Sequence, residues 1–299
     1  PIHVSTQANT VSYHTANFWY KNGAKRVILG RELNKEQIKD IIKNKEKDLE
    51  VEIFIHGAIC FGYSGRCFLS DFLASRSANL GDCAQSCRWA YHVYVEEANN
   101  PGNLMPVEDG KEGTHIFSSK DLCLIKEMPE ILTLRVDSLK IEGRLKTEYY
   151  LATIVNAYRC AIDEAAKNPE NYDATPYLKE IEKTKTRGLT TFYFNDRNNK
   201  DFQEYDGKQY NLEYEYAGRV VEYEKEKSLI EIKNKLQIGD KLEIIIPGKI
   251  EPYPFEIDKL WDDETGEEIS QVNPGKLGQK VKLKIPIPVE ENWMMRRKK

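Results

Sequence analysis

Two kinds of hydrophobic spacing divide this chain, and no single layer of structure accommodates both. Through residue 168, short apolar runs alternate with segments of helical period. From about residue 212 only short runs remain, broken by Gly, Asn and Pro with no long helix between them. In the first part, "IHVST" reads as a strand and "SYHTANFWYKNG" as a helix ending at Gly23. "KRVILG" is a second strand, followed by the helix "NKEQIKDIIKNK" with Asn34 as its N-cap. "VEIFIHG" is a third strand, and after an insertion "LRVDSLKIEG" is a fourth, leading to the long helix "TEYYLATIVNAYRCAIDEAAKN" stopped by Pro169.

Strands alternating with helices imply a parallel sheet covered by helices. Four units that begin in mid-pattern are half of an eight-unit barrel. The predicted fold class is therefore α/β: the C-terminal half of a (β/α)8 barrel over 1–168, its first half, on the order of 100 residues, missing or supplied by another chain. A small four-stranded open sheet is the alternative. The chain opens on Pro1 rather than Met and runs directly into a strand, as a fragment would. Residues 169–211 read as a connector with a short helix around "PYLKEIEKTK". Residues 212–290 read as a small antiparallel β-barrel, and 291–299 as a solvated basic tail.

Hydrophobic residues make up 40% and charged residues 31%, which suits a soluble globular protein and excludes a disordered one. The formal charge of −4 excludes a global basic field but leaves room for a local cationic cleft. No apolar run approaches the roughly 18 residues of a membrane helix, so no membrane partner is expected. "PIHVSTQANT" has no secretory character, so the expected location is cytoplasmic and the cysteines reduced.

Polar residues gather where each predicted strand ends. Gln7 and Asn9 follow the first, Arg31 and Glu32 the second, His56 and Cys60 the third, and Lys140, Glu142, Arg144 and Lys146 the fourth. In a parallel barrel that end carries the active site. The fourth strand is expected to alternate from Leu134 onward and to break at Gly143. Four of the six cysteines, Cys60, Cys67, Cys83 and Cys87, crowd the insertion with spacing C-x6-C-x15-C-x3-C, ending beside Arg88 and Trp89. Structural zinc prefers tighter pairs, buried thiols avoid such Gly- and Ser-rich flanks, and an iron–sulfur cluster suits four thiolates on flexible backbone. Spacing alone leaves these readings open. Cys123 and Cys160 are expected on apolar helix faces, outside the set.

"EIFIHGAICFGYSGRCFLS" resembles the signature of peptidase family U32, from Glu52 and Phe54 through Gly57, Ala58 and Cys60 to Gly65, Cys67, Leu69 and Ser70, with Ile59 where Leu or Met is usual. "STQAN", "AKRVILGREL" and "DSLKIEGRLKTEYYLATIVNAYR" extend the resemblance over most of 1–168, and the strand-only region is similar to the family's C-terminal domain. A departure lies at "TRGLTTFYFN", where Thr191 meets Phe192 without the usual intervening glycine. The resemblance implies an iron–sulfur (4Fe-4S) cluster on Cys60, Cys67, Cys83 and Cys87. It also implies RNA hydroxylation, with formation of 5-hydroxyuridine at the tRNA wobble position in a branch that depends on prephenate. The expected partners are accordingly tRNA or another RNA and a small carboxylate. His56, Lys140, Glu142 and Arg144 are the catalytic candidates. Gln7, Asn9, Arg31, Glu32, Arg88 and Lys146 are candidates for binding substrate, with Tyr63 and Trp89 placed to stack on a base. A peptidase, or an assembly role, is the alternative. No G-x-S-x-G or H-E-x-x-H occurs, which leaves His56 with Cys60 as the one conceivable nucleophilic pair.

Overall fold

A computed structural model describes residues 1–60, 62–99, 101–102, 104–107, 119–196, 198–199, 213–275 and 278–299. The described residues form two compact units, Pro1–Arg144 with Thr186–Tyr210, and Leu145–Lys185 with Asn211–Lys299.

The first unit is mixed α/β. Strands β1 (Ile2–Val4), β2 (Ala24–Ile28) and β3 (Glu50–Ala58) pair in parallel in chain order. β4 (Val93–Glu96) and β5 (Leu104–Val107) form a separate hairpin inside the cysteine insertion. β6 (Asp121–Cys123) runs antiparallel to the end of β3, β7 (Ser138–Ile141) pairs with β3 in parallel, and β8 (Leu189–Thr190) pairs in parallel with β6. The four expected parallel strands are therefore present and in the expected order, within a six-stranded sheet that also carries an antiparallel step.

Local chemistry sets the helix starts. Ser12 accepts from the Thr15 amide to cap α1 (Tyr13–Lys21). Asn34 and Gln37 exchange hydrogen bonds of 2.9 and 3.1 Å in a capping box that opens α2 (Lys35–Asn44), whose Ile38 and Ile41 turn inward. α3 (Leu69–Ala74) lies within the cysteine insertion. The fourth predicted strand is cut short. Residues up to Leu134 belong to helix α4 (Met128–Leu134), Arg135 reverses the chain with φ of 56°, and pairing begins only at Ser138. Asp137 is bonded to Val51 on both sides, its amide to the carbonyl and its carboxylate to the amide, so it aligns the strand before joining it. Cys123 lies on β6 rather than on a helix, buried at 6% exposure.

The second unit joins two helices to a sheet. α5 (Glu148–Lys167) and α6 (Thr175–Glu182) pack on each other. The remaining strands are β9 (Tyr214–Glu222), β10 (Ser228–Ile232), β11 (Leu236–Gln237), β12 (Lys241–Ile245), β13 (Tyr253–Glu256), β14 (Leu260–Asp262), β15 (Glu268–Ile269), β16 (Gln271–Val272), β17 (Lys280–Leu283) and β18 (Met294–Lys298). Eight of them form one antiparallel sheet in the order β13-β12-β18-β9-β10-β17-β14-β15, while β11 and β16 pair separately. The end strands do not meet, so the expected small barrel is an open sheet among the described residues.

The expected boundary at 168 gives way for a physical reason, whereas the second unit takes the chain up again at Asn211, beside the other expected boundary. The Tyr149 ring of α5 stacks on Tyr216 of β9 at 5.6 Å, and buried Arg296 reaches α6. The long helix and the supposed connector helix therefore belong with the C-terminal sheet. The "solvated tail" is likewise a correction: β18 lies between β12 and β9. Arg296 is fully buried, 2.7 Å from both Glu180 and Glu243. Arg297 binds Glu215 and Asp240. Removing one partner of a buried ion pair strands the other. Arg296→Ala should cost roughly 3 to 5 kcal/mol in urea unfolding, and Lys298→Ala, on an exposed side chain, under about 1 kcal/mol. Equal costs would contradict the assignment of Arg296 as the clamp.

Candidate functional site at the strand ends

The cysteine insertion leaves β3 at a point only glycine can occupy. Gly57 has φ of +110°, and a Cβ there would lie 2.3 Å from the Glu142 carbonyl oxygen. Glu142 joins the two strand ends: its amide donates to the His56 carbonyl (2.9 Å), and its carboxylate accepts from the amides of Ala58 (3.1 Å) and Arg144 (3.0 Å). It is a backbone clamp. His56, between β6 and β7, is fully buried, so it does not stand at the surface as the expected catalytic group.

The next turn folds back onto the other strands. At Gly65, with φ of +70°, a Cβ would lie 1.9 Å from the Gln7 carbonyl oxygen, so the loop rests directly on the segment after β1. Asn9 donates to the Ser64 carbonyl (3.0 Å), Thr6 reaches the Ser64 hydroxyl (3.4 Å), and Glu32 accepts from the Ser64 amide (2.5 Å) and hydroxyl (3.2 Å). Of the residues expected to meet substrate, Asn9 and Glu32 bond to this turn and the Gln7 backbone lies against it, while Glu32 also borders the cleft beside Cys60. The structure brings them together, but around the loop.

The cations are equally committed. Arg88 is 6% exposed and donates to Asp121 (3.0 Å) and to the Ile59 carbonyl (2.9 Å), which makes it a prop beneath the loop rather than a substrate contact. Arg144 donates to the Gly81 carbonyl and to Asp82 (2.9 Å), and Asp82 also binds Arg76 (2.8 Å), which fixes the residue before Cys83. Lys140 pairs with Glu52 at 3.0 Å. Burial pushes the Glu52 carboxyl up, but hydrogen bonds from Ser138, Lys140 and Arg26 outweigh it and hold it below its ordinary value. Lys146 lies in the second unit, bonded to the Lys185 carbonyl and set 4.6 Å from the Tyr150 ring. Arg187 escaped the sequence reading, lacking any motif. It donates to the Arg88 carbonyl (3.2 Å), and burial together with Arg88 lowers its pKa against the pull of Asp121 and Cys87.

Arg31 remains. It donates to the Ala58 carbonyl and to the Cys60 sulfur (3.2 Å), and its guanidinium lies 4.7 Å from the Phe54 ring centroid. A cleft of about 180 Å³ opens here, lined by Arg31, Glu32, Cys60, Gly62, Tyr63, Ser64, Phe192 and Tyr193. Phe192, where the loop lacks its expected glycine, takes φ of 50° with its ring buried, a conformation costly for a bulky residue. Tyr63 and Trp89, the aromatics considered for base stacking, are exposed at 66% and 43%. Phe68 and Phe72, one turn apart and 75% and 83% exposed, were not anticipated, because helical spacing alone does not tell an outward apolar pair from an inward one.

All six cysteines are free thiols, with Cys60 exposed and Cys67, Cys83 and Cys87 half-buried. Burial pushes the Cys87 thiol up to about 11, with Arg88 pulling against it and Cys60, Cys83 and Cys67 each adding to the rise. Cys87 therefore lies within electrostatic reach of the other three. Among the described residues, no three His, Cys, Asp or Glu side chains stand close enough together to hold a single metal ion. Four thiolates on one zinc at about 2.3 Å need sulfurs roughly 3.8 Å apart. A multi-iron cluster bonds each thiolate to a different iron and accepts a wider set. Four free thiols on one loop are the donor type such a cluster takes.

If Arg88 is a prop, Arg88→Ala leaves Asp121 charged and fully buried, and should lose roughly 3 to 5 kcal/mol in urea unfolding followed by circular dichroism. A variant as stable as the wild type would return Arg88 to the substrate-binding set.

Family profiles divide the chain between 204 and 212 and keep 145–185 with the N-terminal part. The profile of Peptidase family U32 matches residues 1–204, and that of the Peptidase family U32 C-terminal domain matches 212–296. Over its whole length the chain is 34% identical to the tRNA hydroxylation protein P1 of Bacillus subtilis, covering 69% of that protein. It is 42% identical to an uncharacterized protease of Methanocaldococcus jannaschii, over 82% of this chain and 60% of that one. It is 30% identical to the 23S rRNA 5-hydroxycytidine C2501 synthase of Escherichia coli, over 98% of this chain and 44% of that one. With both profiles matched in order and together spanning nearly every residue, the chain belongs to Peptidase family U32.

Proposed function

We propose that this chain is an RNA-modifying hydroxylase that acts on tRNA, forming 5-hydroxyuridine at the wobble position, with an iron–sulfur cluster on Cys60, Cys67, Cys83 and Cys87. The observation that carries the reading is the placement of four free thiols on one loop fastened over parallel strand ends, in a chain whose relatives include a tRNA hydroxylation protein and an rRNA hydroxycytidine synthase. The parallel order of β1, β2, β3 and β7 supports the further reading of the first unit as half of a (β/α)8 barrel, whose strand ends are the usual place for a site. An RNA substrate places the work in the cytoplasm. Among the described residues, no helix is long and apolar enough to cross a membrane.

A cluster of this kind supplies electrons for redox chemistry. The chain supplies the surroundings. The cleft at Cys60 presents Tyr63 and Tyr193 as flat surfaces for a base. Arg31 gives that cleft its positive charge and suits a small carboxylate co-substrate such as prephenate. Ser64, Glu142 and Arg144 fix the loop so that the thiols hold their places relative to the cleft. The peptidase reading is weaker, because its conceivable base, His56, is fully buried while Cys60 is exposed.

Mass spectrometry of tRNA nucleosides tests the proposal. Cells lacking the protein should lose 5-hydroxyuridine and its derivatives. The wild-type gene and the Cys160→Ser variant should restore them, and Cys67→Ser or Cys87→Ser should not. Unchanged tRNA and rRNA nucleosides in the deletion strain would sink the RNA reading. Casein hydrolysis lost in Cys60→Ser would put the peptidase in its place.

A further inference from the structure

We propose that Arg31 is a positioning residue that sets the reduction potential of the cluster, through the hydrogen bond its guanidinium donates to the Cys60 sulfur. The inference rests on the cluster reading above and goes beyond it by assigning a role to a residue outside the ligand set.

Most cations near the cysteine loop are neutralised by carboxylates: Arg88 by Asp121, Arg76 and Arg144 by Asp82, and Lys140 by Glu52. Arg31 is placed differently. Among the described residues no carboxylate pairs with it, and Glu32 beside it is engaged by Ser64. Its Nη1 is anchored on the Ala58 carbonyl, its guanidinium carbon lies 4.7 Å from the Phe54 centroid, and its Nη2 stands 3.2 Å from Cys60 Sγ. The backbone and ring contacts fix the orientation of the fork, so its uncompensated charge is aimed at one sulfur. That sulfur belongs to Cys60, the exposed thiol of the four and the one lining the cleft.

Reduction adds one electron, and therefore one negative charge, to a cluster and its thiolates. A cation that donates an N–H to a thiolate stabilises the more negative state and raises the potential. Hydrogen bonds to ligand atoms are among the strongest levers a protein has on a metal group. Arg31 thus makes the cluster easier to reduce at the ligand that faces the cleft.

The test loads the full chain with iron and sulfide under argon and titrates it by spectroelectrochemistry. Arg31→Gln should bind iron as the wild type does, with a reduction equilibrium at least tenfold less favourable, a downward shift of about 59 mV for a one-electron couple. Arg31→Lys keeps the charge but not the two-pronged geometry and should fall between. Arg66→Gln is the control: Arg66 is an exposed cation on the same loop that donates to the Gly65 carbonyl, and its removal should leave the potential in place. A fully loaded Arg31→Gln chain at the wild-type potential overturns the proposal and leaves the cluster intact. An equal shift in Arg66→Gln also overturns it, because general charge would then explain the effect. If Arg31→Gln does not load, Arg31→Lys decides, and a loaded Lys variant at the wild-type potential counts against the role. A wild-type chain that takes up no iron overturns the cluster reading, and this inference with it.

Discussion

The turn at Ser64 carries three attachments at once, and the placement of the whole cysteine insertion depends on it. Thr6 and Asn9 hold it from the end of β1, Glu32 holds it from the end of β2, and Gly65 lies so close to Gln7 that no side chain fits between them. A loop this long costs conformational entropy wherever it is ordered, and hydrogen bonds of about 1 kcal/mol each offset that cost only when several act on one turn. Gly57 and Glu142 perform the same service at the loop's exit from β3, and Arg144 with Asp82 does so before Cys83. The polar residues at the strand ends are spent on holding the loop, and the loop is what presents the thiols.

This alters the meaning of the positive charge. Read along the chain, arginines and lysines after successive strands suggest a cleft for phosphate. In three dimensions Arg88, Arg144 and Lys140 are paired with carboxylates, which neutralise much of the charge they would offer a phosphate. The charge left over is aimed at the cysteines. Arg31 touches Cys60, and Arg187 lies close enough to Cys87 to feel its charge. Four thiolates on one loop repel one another, so cations placed beside them stabilise the deprotonated set that a metal group requires.

Much of the fold was legible because it rests on local rules. The order of the parallel strands followed from hydrophobic spacing, and the start of α2 followed from Asn34 and Gln37. Failures occurred where tertiary contacts override local pattern. The run from Leu134 to Asp137 alternates like a strand, yet α4 extends into it and Arg135 turns the chain in a conformation only context can impose. The tail looked solvated because it is basic, but Glu180 and Glu243 wait inside the second unit to receive Arg296. The shared loop of Cys60, Cys67, Cys83 and Cys87 was legible from their crowding in the sequence. The partners of the surrounding side chains were not, since sequence spacing says which residues share a strand end and not which of them bind each other.

Metal analysis of the chain purified without oxygen tests the central claim most directly. If the Ser64 turn and its neighbours exist to present four thiolates, the full-length protein should carry about four irons and four acid-labile sulfides, with a brown absorbance and the Mössbauer parameters of a cubane cluster. Substitution of Cys60, Cys67, Cys83 or Cys87 by Ser should remove most of that iron, while Cys123→Ser and Cys160→Ser should retain it. A colourless protein with one tightly bound zinc, or iron that survives loss of any of the four, would contradict the account.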